Sequence, residues 1–152
     1  MDLSAITDTL FIGATPGPDD YDTLRDLGVQ LVINMRAEQM PHRDPHDPPL
    51  PILWLRTYDL PLLPIPIRAL RRGVTAALET LARGGKVYAH CAAGVHRSVV
   101  MAAAILIAQG SSAEEAMQLI KQRRAIADPD TWYIRWRIRR FAATWENHKL
   151  VP

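Results

Sequence analysis

The segment Lys86 to Ala108 constrains the fold more than any other part of this sequence. Lys86-Val87-Tyr88-Ala89 is a short apolar run of the kind buried inside a sheet, and Val99 to Ala108 is a longer one suited to a buried helix. Only His90-Cys91-Ala92-Ala93-Gly94-Val95-His96-Arg97-Ser98 separates them. A buried strand that passes through one tight loop into a buried helix belongs to an α/β arrangement. The loop sets a glycine turn beside a helix N-terminus, which makes a place to hold an anion. The one cysteine of the chain sits at its base, and an arginine follows after five intervening positions.

Strand and helix signals alternate before this segment. Thr9 to Ile12 predicts a strand closed by Gly13, Asp19-Asp20 supplies cap chemistry for a helix through Leu27, and Gly28 stops it. Leu31 to Met35 is apolar on both faces, as a strand inside a parallel sheet should be. Residues 41–51 carry five prolines and predict an irregular loop. Ile52 to Leu55 resumes as a strand, followed by Arg56-Thr57-Tyr58-Asp59 and a second proline-rich stretch, Pro61 to Pro66. Ile67 to Ala82 has helical spacing and ends at Gly84-Gly85.

Beyond Ala108, Ser112 and Glu115 form a capping box that opens a helix. Asp128-Pro129 is expected to start the last helix, with Pro129 in its first turn and Trp132, Trp136 and Phe141 as its core-facing stripe. The expected fold is α/β: a single domain over residues 1–152 with a central, mostly parallel sheet of four to five strands flanked by helices. The cysteine loop then lies at the carboxyl end of a strand, where open α/β sheets place their sites.

The net charge of +2 suits an anionic substrate but is far from the basicity of a dedicated nucleic-acid binder. A lone cysteine excludes an internal disulfide and a multi-cysteine metal site, and as a catalytic thiol it must stay reduced, which points to the cytoplasm. Residues 1–12 lack the pattern of a signal peptide, and the run Val99 to Ala108 is too short to span a bilayer, so no membrane partner is expected. His42, His46, Asp44 and Asp47 lie in the proline-rich loop as solvated surface, and no metal or other cofactor is expected. Arg135, Arg137, Arg139 and Arg140 are expected on a solvated helix face.

A phosphate ester repels nucleophiles, so a catalyst must neutralise its oxygens, present an ionised nucleophile and protonate the leaving oxygen. Backbone N–H groups of Ala92, Ala93, Gly94, Val95, His96 and Arg97 can curl around phosphate oxygens, with Gly94 allowing the curl. Arg97 can add a bidentate clamp, and the same field favours Cys91 as thiolate. Ser98 can donate to the Cys91 sulfur and help it leave in a second step. His96 faces the pocket rim, where contact with substrate and plain solvation are both open to it. The competing view of Cys91 is an inert buried thiol.

HCAAGVHRS is similar to the H-C-x-x-G-x-x-R-S/T loop of the cysteine-dependent protein tyrosine phosphatase superfamily, and it looks most like the compact dual-specificity branch. Leu10-Phe11-Ile12-Gly13, Val32 to Arg36, Arg123-Arg124 and the final helix resemble further parts of that branch. The resemblance implies phosphocysteine chemistry without a metal, with His90 bracing the loop. It also implies a general acid on a loop after a strand. Asp59 fits, 32 positions before Cys91 and after the Ile52–Leu55 strand, whereas Asp44 and Asp47 precede that strand. A plain turn aspartate is the alternative for Asp59.

The expected function is hydrolysis of phosphotyrosine in proteins, with phosphoserine and phosphothreonine as further substrates. Phosphatases of phosphoinositides or inositol phosphates often carry lysines in this loop, where Ala92, Ala93 and Val95 stand. An RNA 5′-phosphatase, a non-catalytic phospho-binding module and a sulfurtransferase are the other classes. The physiological partner is a phosphorylated protein or other phosphomonoester.

Overall fold

The structure, a computed structural model, describes residues 1–149, with side chains to 147. Five strands form one sheet: β1 (Leu3–Ala5), β2 (Leu10–Gly13), β3 (Val29–Arg36), β4 (Ile52–Thr57) and β5 (Lys86–His90), in the order β1-β2-β5-β3-β4. β2, β5, β3 and β4 run parallel, and β1 is antiparallel on the edge. β5 is therefore the central strand, hydrogen-bonded on both sides.

Alternation along the strands sorts the side chains into two cores. Phe11, Val32 and Tyr88 face one way, against Tyr21 and Leu24 of α1 (Tyr21–Leu27). Ile12, Ile33, Met35, Val87 and Ala89 face the other way, into the main core. That core is closed by α2 (Ile67–Ala82), α3 (Arg97–Ala108), α4 (Ala113–Arg123) and α5 (Trp132–Lys149). α3 lies against the sheet and is covered by α2, α4 and α5, which is why its residues Val99 to Ile107 are apolar all round. The fold class and the sheet are those expected from the sequence. The Ser112–Glu115 capping box opens α4 with both reciprocal bonds formed, at 3.1 and 2.9 Å.

Three expectations are corrected. Asp128-Pro129 does not begin α5: Asp128 Oδ1 accepts the N–H groups of Asp130 and Thr131 at 3.1 Å each, so Pro129 sits in a turn and the helix starts at Trp132. The core face of α5 is Ile134, Ile138 and Phe141, whereas Trp132 and Trp136 are 68% and 56% exposed. A helix buries the residues on its inward face, and aromatic size does not override that phase. The last correction concerns Asp44, which is buried instead of solvated.

Asp44 pins the proline-rich loop to α1. Its carboxylate accepts Arg25 Nη1 and Nη2 at 3.0 and 2.5 Å and the N–H groups of His46 and Leu50 at 3.0 and 2.7 Å. The Arg25 guanidinium holds its carboxyl well below the usual range; burial opposes this and the two N–H groups add to it. A depressed carboxyl stabilises the fold at pH values above the unfolded-chain value of about 3.9, and that stabilisation is lost as pH falls through the folded value. Asp44→Asn is expected to lower the thermal midpoint by several degrees at pH 7 and to flatten the loss of stability between pH 5 and pH 2. Thermal melts across that range check it.

Candidate active site

The four parallel strands deliver their carboxyl ends to one place, and each contributes to it. β5 runs straight into Cys91 and the loop that ends at the N-terminus of α3. β2 is followed by Thr15, β3 by Glu38 and β4 by Asp59.

The loop is turned inside out by its carbonyl partners. Thr15 Oγ1 donates to the Cys91 carbonyl at 3.0 Å. Arg124 Nη2 and Nε donate to the carbonyls of Ala93 and Gly94, both at 3.0 Å. The Asp128 N–H donates to the Val95 carbonyl at 2.9 Å. With the carbonyls bonded outward, the amide N–H groups from Ala92 through Arg97 bond to no oxygen among the described residues, and those of Gly94 and Val95 turn to the Cys91 sulfur. Consecutive unpaired N–H groups at a helix N-terminus form an anion cradle. Gly94 has φ +69°, and a Cβ there would stand 2.8 Å from Gly13 Cα, so only glycine lets the loop pass this close to β2.

Cys91 is buried at the base of the cradle, with Ser98 Oγ 3.4 Å from its sulfur. Burial pushes the thiol pKa up, but the Ser98 hydroxyl and the N–H groups of Ser98, Gly94 and Val95 outweigh it, and the net shift is downward. The thiol can donate to Ser98 Oγ; once ionised, it accepts from that hydroxyl.

Arg97 is buried, and its Nη1 donates to Glu38 Oε1 at 2.5 Å and to the carbonyls of Thr57 and Met35 at 2.9 and 3.2 Å. All of its bonds to described residues leave from Nη1, so Nε and Nη2 keep their donors for an anion. Burial pushes the Glu38 carboxyl up, but Arg97, joined by Arg36, outweighs it and leaves it lowered.

Asp59 stands immediately beyond β4, with its Oδ2 2.8 Å from His96 Nδ1 and its Oδ1 accepting from Tyr133 at 2.5 Å. Burial raises the Tyr133 hydroxyl to about 12, with Asp59 adding to the shift. His96 Nε2 lies 3.1 Å from Asp128 Oδ2. His96 thus neither stands free in solvent nor points away from the loop; it ties Asp59 to the turn before α5. His90 is buried and stacked on Tyr88 at 5.7 Å, with Nδ1 unpartnered among the described residues. Burial lowers its pKa to about 4, against an opposing bond with the Cys91 backbone, so the ring is neutral at pH 7.

The structure therefore brings together Cys91, Ala92 to Arg97, Ser98 and Asp59, all singled out in the sequence. Glu38, Thr15, Tyr133 and the looping role of Arg124 were not visible there. Their partners are far away in the chain, and no local spacing marks them. The basic pair Arg123-Arg124 at the end of α4 was the only signal, and it did not distinguish the buried Arg124 from its exposed neighbour.

Residues 10–139 match the family model described as the dual specificity phosphatase catalytic domain. The chain is 28% identical over 131 residues to the protein-tyrosine-phosphatase MKP1 of Arabidopsis thaliana, covering 85% of this chain and 16% of that protein. It is 26% identical over 142 residues to the tyrosine-protein phosphatase yvh1 of Schizosaccharomyces pombe, covering 88% and 40%. The chain thus spans less than half the length of either relative. Among solved structures, PTPMT1 superposes with a TM-score of 0.83 at 26% identity, covering 99% of each chain.

Arg124→Met keeps the stem and removes both donors to the loop carbonyls. With charge-assisted bonds contributing about 1.5–3 kcal/mol each, binding of inorganic phosphate is expected to weaken by at least about tenfold. Asp2→Asn, which removes only the outer ion pair on Arg124, should retain most of the affinity. Equilibrium phosphate binding to the two variants checks this.

Proposed function

The chain belongs to the dual specificity phosphatase catalytic-domain family, and from that premise we propose that it hydrolyses phosphotyrosine in proteins, and phosphoserine and phosphothreonine with it, through a phosphocysteine intermediate. The observation that carries the proposal is Cys91, buried at the base of a loop whose N–H groups from Ala92 to Arg97 bond to no oxygen among the described residues, with its sulfur 3.4 Å from the Ser98 hydroxyl. The N–H groups and the free edge of the Arg97 guanidinium bind the three non-bridging oxygens and meet the charge that develops on them. The Cys91 thiolate attacks phosphorus, the S–P bond forms and the P–O ester bond breaks. Asp59 gives its proton to the departing oxygen, which leaves as the alcohol or phenol.

In the second step a water attacks the phosphocysteine and passes a proton to Asp59. The P–S bond breaks, inorganic phosphate departs, and the Ser98 hydroxyl stabilises the returning thiolate. Each group ends as it began. Cys91, Arg97, Asp59 and the loop backbone supply nucleophile, clamp and acid in this cycle, so the proposed steps use no metal.

The choice of a protein phosphotyrosine rests on the wall beside Asp59. Tyr58 and Leu60 flank it and are exposed, as are Trp132 and Trp136 at the start of α5, an apolar surface suited to the side chains of a peptide substrate. The loop positions Ala92, Ala93 and Val95 carry no cation for additional phosphates. Among the described residues no helix is long and apolar enough to cross a membrane. A thiolate catalyst works in a reducing compartment, and a cytoplasmic location is part of the proposal.

Hydrolysis of an aryl phosphate in the presence of a chelator tests the mechanism. Cys91→Ser should be inert, and Asp59→Ala should lose about 10²–10⁴ in kcat with little change in KM. Undiminished turnover by Cys91→Ser, or activity abolished by the chelator, would sink it. A panel of phosphotyrosine and phosphoserine peptides, an inositol phosphate and a 5′-phosphorylated RNA tests the substrate class, with the phosphotyrosine peptide expected to turn over fastest.

A further inference from the structure

His96 occupies the loop position just before the arginine, where its backbone N–H belongs to the cradle, but its side chain has another engagement. The ring lies between two carboxylates, Nδ1 2.8 Å from Asp59 Oδ2 and Nε2 3.1 Å from Asp128 Oδ2. Each carboxylate is itself held. Asp59 Oδ1 accepts from Tyr133 at 2.5 Å. Asp128 accepts the Thr131 hydroxyl on Oδ2 and the N–H groups of Asp130 and Thr131 on Oδ1, and its own N–H holds the Val95 carbonyl. The edge of the Tyr133 ring packs on the imidazole at 5.9 Å. The bridge therefore ties together the phosphate loop, the acid-bearing segment after β4, and the turn that opens α5.

We propose that His96 is a positioning residue for the acid: the Asp59–His96–Asp128 bridge fixes Asp59 over the phosphate loop and retains the proton that Asp59 delivers. This rests on the phosphatase reading and goes beyond it by assigning a role to a side chain whose hydrogen bonds go to two carboxylates.

Proton counting supports the second half. Neutral imidazole has one N–H, so it can donate to only one of two ionised carboxylates and would turn a lone pair on the other. The geometry is satisfied with one further proton on the bridge. That proton sits on the ring, which then donates at both ends, or it moves from Nδ1 to Asp59 Oδ2. In the second case the neutral ring keeps its Nε2–H on Asp128, and Asp59 is the protonated acid the first step requires. After Asp59 has protonated the leaving oxygen, the proton taken from water in the second step restores the bridge. Burial lowers the imidazole pKa, but Asp59 and Asp128 outweigh it and leave it raised. A raised histidine pKa stabilises the bridge fully below the ordinary value of about 6.5, and that stabilisation is lost as pH rises through the folded value.

Two measurements test this, and the first needs no turnover. In a histidine-labelled NMR titration the His96 midpoint is expected above the ordinary value and should fall in both Asp59→Asn and Asp128→Asn. A wild-type midpoint at or below the ordinary value, or one indifferent to both substitutions, overturns the bridge.

The second compares kcat/KM for p-nitrophenyl phosphate with that for phenyl phosphate, whose leaving group has a pKa of about 10, like the tyrosine side chain. An acid matters most for the poorer leaving group. His96→Ser and Asp128→Asn are each expected to lose about tenfold more on phenyl phosphate than on p-nitrophenyl phosphate. Asp59→Ala should show the same bias, and adding His96→Ser to it should deepen the bias no further. A loss that is equal for both esters and tracks weaker inhibition by inorganic phosphate would make His96 a shaper of the cradle only, and the proposal fails. An Asp59→Ala variant without leaving-group bias would instead remove Asp59 as the acid, a failure of the functional reading that the NMR titration separates from a failure of the bridge.

Discussion

The site depends on where the carbonyls between Cys91 and Val95 point. A free peptide loop has no reason to turn its N–H groups to one side, because the carbonyls and amides alternate and each seeks a partner. Here the carbonyls are taken first: Thr15 holds that of Cys91, Arg124 holds those of Ala93 and Gly94, and the Asp128 N–H holds that of Val95. The amides of Gly94, Val95 and Ser98 are left to the cysteine sulfur. The positive end of a buried helix adds to the same field. Burial would otherwise raise the pKa of Cys91, and the Ser98 hydroxyl together with the N–H groups of Ser98, Gly94 and Val95 reverses the shift.

The sheet order makes that bracing possible. β5 is central, so the ends of β2 and β3 lie on either side of the loop and β4 lies one strand beyond. Thr15 comes from the β2 side. Glu38, from the β3 side, takes one nitrogen of Arg97 in a salt bridge at 2.5 Å and orients its planar fork. Asp59 comes from beyond β4 and is reached by His96 from the loop and by Tyr133 from α5. The acid, the clamp and the nucleophile thus come from separate strands but share one rigid platform. The antiparallel β1 adds a further tie: Asp2 and Ser4 bind Arg124 from outside at 2.9 and 3.1 Å, so the chain's first residues support the loop.

Much of this was legible in the sequence, for definite reasons. The parallel strands are apolar on both faces, α2 and α4 carry strong periodicity or a capping box, and Cys91 to Ser98 follows a local spacing. Features that depend on distant partners were not legible. β1 is three residues long and has no pattern of its own. Asp44 reads as one more polar residue in a proline-rich loop until Arg25, 19 residues earlier, reaches it. The core phase of α5 is set by Ile134 and Ile138, which carry the buried face, whereas the size of Trp132 and Trp136 suggests a different face in the sequence. His96 could be placed at the rim from its position, but nothing local indicates that Asp59 and Asp128 meet on either side of it.

Ionisation of the buried thiol by the loop amides and Ser98 is directly measurable, because the chain has a single cysteine. Alkylation of Cys91 by iodoacetamide as a function of pH reports the thiolate without interference from another thiol. The cradle predicts a midpoint below the ordinary cysteine value of about 8.5, rising in Ser98→Ala and in Arg124→Met. A wild-type midpoint at or above the ordinary value would contradict it, because burial would then have prevailed over the donors.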